Sequence, residues 1–161
     1  MGVKNYLIEG VSGTGKSSVC QELRRRGYDV VDGDKELAYQ GDPETGEKTE
    51  GHTHQLHIWN EAKVRKIASD HTKSVTYFCG GSRNFSRFLD VFDRIYILDV
   101  DEATLNDRLD SRDGWGKEKS ERELVLRLHE SKEDLPQDGI EIDATEPLSK
   151  VVDKIISSSE A

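Results

Sequence analysis

The segment Gly10-Val11-Ser12-Gly13-Thr14-Gly15-Lys16-Ser17 constrains the fold more than any other stretch of the chain. An apolar run, Tyr6-Leu7-Ile8, precedes it. After it, from Ser17 to Arg26, Val19, Cys20 and Leu23 fall on one helical face. A strand, a turn of the form Gly-x-x-x-x-Gly-Lys-Ser and a helix, in that order, make a phosphate-binding P-loop. Each residue type meets a physical need. The glycines let the backbone turn tightly, so that its N–H groups face phosphate oxygens. The helix start adds the positive end of its dipole. Gly10, Ser12, Gly13, Thr14, Gly15, Lys16, Ser17 and Ser18 are therefore the expected nucleotide-binding set. Lys16 is predicted to reach the β- and γ-phosphates, and Ser17 to place its hydroxyl on Mg²⁺.

Further strands alternate with helices. Asp29-Val30-Val31, Val75 to Cys79, Ile95 to Leu98 and Ile140-Glu141-Ile142 read as strands. Gly27 stops the first helix. Leu56 to Ala68 is predicted as a helix with one buried side. Ala103, Leu105 and Leu109 begin another, Leu124 to Leu128 a further one, and Val151 to Ile156 the last, with a Ser-rich tail expected to fray. The order predicts an α/β fold: a five-stranded parallel sheet with helices on both faces. At 161 residues it reads as a single domain, 1–161, with an acceptor-binding insert at 41–71 and a short lid at 112–120.

Ligands in such sheets sit at the C-terminal ends of the strands. Asp32-Gly33-Asp34 follows the second strand. Asp32 is suited to holding Mg²⁺ through water, and Asp34 to orienting or deprotonating an acceptor hydroxyl. The competing reading is an acidic turn with Asp34 as a helix N-cap. Gly80-Gly81-Ser82-Arg83 follows the third strand. There the glycines would admit a ligand closely, and Arg83 would grip an anion. Arg65 joins it as an acceptor-binding candidate. Arg108 and Arg112, four residues apart on one helix face, flank Gly114-Trp115-Gly116-Lys117 and suit a closing lid. His52, His54 and His57 suggest metal binding less than substrate contact, since no cysteine completes a ligand set. Trp59 reads as core.

The net charge of −9 argues against a nucleic-acid surface, and no run of roughly 20 apolar residues is present to span a membrane. Cys20 and Cys79 cannot make a disulfide framework and read as buried thiols of a cytoplasmic protein. Asn84-Phe85-Ser86 is a glycosylation sequon only by coincidence. The absence of an Asn-Lys-x-Asp motif counts against a GTPase, and the length against the usual AAA+ module with its lid domain.

With these sites in order, the chain resembles the small P-loop kinases of the adenylate kinase-like superfamily. Asp32-Gly33-Asp34 is similar to the Asp-x-Asp pair of shikimate and gluconate kinases. Gly80-Gly81-Ser82-Arg83 resembles the acceptor-touching turn of those kinases or of nucleoside monophosphate kinases, although no proline precedes Arg83. Arg108 and Arg112 fall where the family carries lid arginines. Ile142 to Leu148 resembles the loop packed near adenine, which implies Thr145 and Pro147 as base-side contacts. The resemblance implies ATP and Mg²⁺ as cofactors and transfer of the γ-phosphoryl group to a small acceptor, nucleoside or nucleotide-like. Lys16, Asp34 and Arg112 are the expected catalytic residues. Alternatives are a shikimate- or gluconate-type hydroxyl acceptor, or a regulatory ATPase acting through a protein partner. A monomer or homodimer is expected.

Overall fold

The structure is a computed structural model that describes residues 4–11, 14–51, 53–111, 119–132, 135–136 and 139–160. Its sheet is built from the five apolar runs read above. The strands are β1 (Lys4–Glu9), β2 (Asp29–Asp32), β5 (Val75–Cys79), β6 (Arg94–Asp99) and β7 (Ile140–Asp143), in the order β2-β5-β1-β6-β7. Every pairing is parallel. β1 is central, and its apolar run Tyr6-Leu7-Ile8 follows from burial on both faces.

Side chains alternate along β1. Tyr6 and Ile8 enter one core with Val19, Cys20 and Leu23 of α1 (Lys16–Arg25), Leu105 and Leu109 of α4 (Glu102–Ser111), and Val151, Val152 and Ile155 of α6 (Leu148–Glu160). Leu7 enters the opposite core with Phe78, Trp59, Phe88 and Phe92, and with Val64 of α3 (Glu61–Ala68). A smaller group joins Ile97 to Leu128 of α5 (Lys119–Ser131). The sheet therefore carries helices on both faces, as the sequence predicts.

Three local expectations are corrected. First, Leu56 to Ala68 is not one helix. A 3₁₀ turn leads into β4 (His57–Trp59), which pairs antiparallel with β3 (Ala38–Gln40) as a separate two-stranded sheet. α3 starts only at Glu61, because Asn60 caps it by accepting the Lys63 N–H at 3.1 Å. Second, Asp32 rather than Asp34 caps the short helix α2 (Gly33–Glu36), accepting the Lys35 N–H at 3.3 Å. Third, the Ser-rich tail is helical to Glu160 and docked. The Tyr77 and Tyr96 hydroxyls meet Ser159 Oγ at 3.1 and 2.9 Å, and Tyr6 donates to the Ser159 carbonyl at 3.1 Å.

Candidate active site

Parallel register sets the ends of β1, β5 and β2 side by side: Ile8 lies opposite Cys79, and Cys79 opposite Asp32. The turn after each strand delivers side chains to one rim. After β1, Gly10 enters the P-loop in a position where a Cβ would stand 2.6 Å from Thr14 Oγ1 and 2.8 Å from the Leu98 carbonyl. Thr14 is buried and donates its hydroxyl to the Val11 carbonyl at 2.8 Å, closing the loop. Gly15, with φ of 100°, caps α1 in the left-handed region, which glycine occupies without steric cost. Ser17 and Ser18 are exposed at the helix start. Lys16 turns back over the loop and donates to the Gly10 carbonyl at 2.6 Å and to Glu9 Oε1 at 3.4 Å. Ser12 and Gly13 lie outside the described residues.

The side expected to face the acceptor forms at the ends of β2 and β5. Asp34 Oδ1 is 3.0 Å from His57 Nε2. The surrounding wall desolvates Asp34 even though 57% of its side-chain surface is open. That desolvation opposes ionisation, but the His57 hydrogen bond and the charges of Lys16, His57 and Arg83 outweigh it. The Asp34 carboxyl therefore lies below its ordinary value. Asp34 thus stands within the field of both the P-loop lysine and Arg83. The Arg83 side chain meets His54 Nε2, and its backbone N–H donates to the His57 carbonyl at 2.8 Å.

The two glycines here are needed for the protein's own packing. A Cβ on Gly80, whose φ is 131°, would stand 3.0 Å from the Trp59 ring and 3.3 Å from Asp34 Oδ1. A Cβ on Gly81 would stand 2.5 and 2.6 Å from the Glu9 carboxylate oxygens. Among the described atoms, the space the sequence reading gave to a ligand is taken by the indole and the buried carboxylate.

Other candidates divide. Arg108 joins the P-loop to the late loop: Nη2 donates to the Ala144 carbonyl at 2.7 Å, and Nη1 lies 3.5 Å from a Cβ built on Gly15. Thr145, beside Ala144, is exposed and hydrogen-bonds Asp143 through its backbone N–H at 2.9 Å. Pro147 is exposed at the start of α6, where its carbonyl accepts the Lys150 N–H at 2.9 Å. Arg65 is not brought to the site. It pairs with Asp90 at 3.0 Å and Glu61 at 3.1 Å, and those carboxylates hold its guanidinium well above its ordinary pKa. Arg112 and most of the 112–120 lid lie outside the described residues, as does His52.

Sequence reasoning missed Glu9 and the roles of His54, His57 and Asn84. Glu9 is 1% exposed. Its signal was a carboxylate directly after the apolar run Tyr6-Leu7-Ile8 and directly before the P-loop. Asn84 is buried, accepting the Trp59 N–H at 3.1 Å and donating to the Trp59 carbonyl at 2.9 Å. Those bonds tie β4 to the turn after β5. Trp59 is core, stacked on Phe88 with ring centroids 5.8 Å apart and planes 2° from parallel.

The same fold recurs in known proteins. A shikimate kinase from Bacteroides thetaiotaomicron superposes with a TM-score of 0.66 at 16% identity, covering 98% of this chain and 99% of that one. A gluconokinase from Sinorhizobium meliloti 1021 superposes with a TM-score of 0.61 at 20% identity, covering 98% and 91%. In sequence, the chain is similar to an adenylate kinase isoenzyme 6 homolog of Plasmodium falciparum (isolate 3D7). The two are 27% identical over 155 residues, covering 83% of this chain and 78% of that protein. The expected kinship with small P-loop kinases of the adenylate kinase-like type is borne out. Residues 7–134 match the family described as an AAA domain, and the chain belongs to that family.

Proposed function

We propose that this chain transfers the γ-phosphoryl group of ATP to a small acceptor that presents a hydroxyl to Asp34. One observation carries the reading: the turns after β1, β2 and β5 bring Lys16, Asp34 and Arg83 to one rim, where His57 meets Asp34 at 3.0 Å and its carbonyl accepts the Arg83 N–H at 2.8 Å. One cation, Lys16, serves the donor phosphates and the other, Arg83, an anionic group of the acceptor. Phosphoryl transfer is mostly positioning and charge stabilisation, and these residues provide both. His57 holds Asp34 in orientation, and Asp34 accepts the hydrogen bond of the incoming hydroxyl. Arg108, reaching from Gly15 to Ala144, lies on the base side of the nucleotide, with Thr145 and Pro147 following.

Ser17 and Asp32 are the residues that would hold Mg²⁺. They fit a hard cation, because the Ser17 hydroxyl is exposed and Asp32 spends one oxygen, Oδ1, on its cap. Bound there, the ion would neutralise charge on the β- and γ-phosphates. Among described residues no further cluster of metal-ligating side chains stands out.

A nucleoside or nucleotide-like acceptor is the first reading, supported by the adenylate kinase relative. A hydroxy-metabolite of the shikimate or gluconate type is the second. It is favoured by Arg65, which is engaged with Asp90 and Glu61 rather than with the site. A regulatory ATPase finds less support. The 41–71 segment turns His54 and His57 toward Arg83 and Asp34, and among the described residues the large exposed apolar side chains, Ile140 and Leu148, lie elsewhere. The test is ADP release from MgATP with a panel of nucleosides, nucleoside monophosphates, shikimate, gluconate and sugar alcohols. Strong stimulation by one acceptor is the expected result. A slow rate indifferent to every acceptor would move the reading to the regulatory ATPase.

A further inference from the structure

Glu9 closes β1 with a carboxylate that is 1% exposed, directly before the P-loop. Oε1 accepts the Gly10 N–H at 2.8 Å and stands 3.4 Å from Lys16 Nζ. Oε2 is buried with no hydrogen-bond partner and faces Gly81, where a Cβ would stand 2.5 Å away. The charged groups facing Glu9 are Lys16 from α1 and Arg83 from the turn after β5; across β6 its register neighbour is Ile97. Burial pushes the Glu9 carboxyl above its ordinary value, and Lys16, Arg83 and the Gly10 N–H oppose that rise. A buried carboxylate is costly unless a cation answers it. The cation nearest to it is the lysine that the proposed chemistry needs.

We propose that Glu9 is a positioning residue for phosphoryl transfer: the buried counter-charge that fixes the Lys16 ammonium at the mouth of the P-loop, seated there by Gly81. The proposal rests on Lys16 being the phosphate ligand of the reaction. A lysine ammonium is a point charge on a flexible four-carbon stem. Unanchored, it would follow the ground-state phosphates as readily as the transition state. Held between the Gly10 carbonyl and Glu9, it is placed before the nucleotide arrives, and its binding energy is directed to the transition state.

The experiment compares four full-length proteins: the natural chain, Glu9→Gln, Lys16→Ala and the double variant. Glu9→Gln keeps the shape and the Oε1 acceptor while removing the charge, so the fold is expected to survive. With MgATP and the best acceptor, Glu9→Gln is expected to lower kcat about 10- to 100-fold. The MgATP dissociation constant should hold steady or tighten, because one negative charge leaves the phosphate site. Unchanged kcat, or kcat and affinity lost together, would overturn the proposal.

Thermal unfolding across pH reads the pair without nucleotide. A carboxyl whose folded pKa exceeds its unfolded pKa costs stability that grows as pH rises between the two. Lys16→Ala should therefore destabilise increasingly with rising pH when Glu9 is present, and show no such trend in the Glu9→Gln background. Equal trends in both backgrounds would overturn the pairing. If the natural chain binds no MgATP, the phosphotransfer reading fails, and the unfolding series still decides whether Glu9 and Lys16 act as a pair.

Discussion

On the proposed function Lys16 and Asp34 divide the chemistry between donor and acceptor, and each has a distinct kinetic signature. Lys16→Ala is expected to lower kcat by about 10²-fold or more, with the fold kept but less stable, because the side chain lies over the loop rather than in the core and its loss leaves Glu9 unanswered. Full activity in that variant would remove Lys16 from the mechanism. Asp34→Asn is expected to lower kcat by about 10²- to 10⁴-fold while leaving the MgATP dissociation constant unchanged. An equal loss of ATP affinity would instead assign Asp34 to the metal. The same residue predicts a pH effect. Because the folded Asp34 carboxyl lies below its unfolded value, its contribution to stability is present above the unfolded value, about 3.9, and fades as pH falls through the folded one. Asp34→Asn should flatten that acid portion of the Tm–pH curve, and an unchanged curve would count against the His57 pairing.

The β3–β4 hairpin is the element that the sequence concealed and the site depends on. Ile58 and Trp59 sit next to a helix with buried Val64 and Ala68, so the apolar spacing reads as one longer helix. Asn60 carried the corrective signal, as a cap residue immediately before the true helix start. The strands are three residues each, too short for alternation to register. What holds the hairpin to the sheet is equally non-local: Asn84 binds both backbone groups of Trp59. Asn84→Ala strands a buried N–H and a buried carbonyl, at a cost of about 2–4 kcal/mol. It should also raise KM for the acceptor more than for ATP, because His54 and His57 ride on the same segment. Equal changes in the two KM values would show that the hairpin does not shape the acceptor side.

Across the whole molecule, the five sheet strands and the P-loop were legible because each is a local pattern: an apolar block, or glycines at fixed spacing. The closure of the sheet was not. Tyr6, Tyr77 and Tyr96 stand on three neighbouring strands, and their hydroxyls converge on Ser159. Read locally, Ser157-Ser158-Ser159 looks like a fraying end. Truncation after Ile156 should cost about 3 kcal/mol from these three hydrogen bonds, lowering Tm by about 6–12 °C. A Tm unchanged by truncation would mean that the tail is not docked in solution. The burial of Glu9 was hidden for the same reason: Gly81, which packs against its carboxylate, is remote in sequence and adjacent only once β1 and β5 pair.

The separateness of the hairpin has an evolutionary consequence. The groups proposed to serve the donor come from β1, α1 and α4, whereas His54 and His57 come from one excursion joined to the rest through Arg83, Asn84, Asp34 and the packing of Trp59. On the proposed function, a lineage can rewrite that excursion, changing which molecule receives the phosphoryl group, while keeping the P-loop residues. A chimera carrying another kinase's segment between Leu37 and Asn60 is the shortest route to a new acceptor on this scaffold.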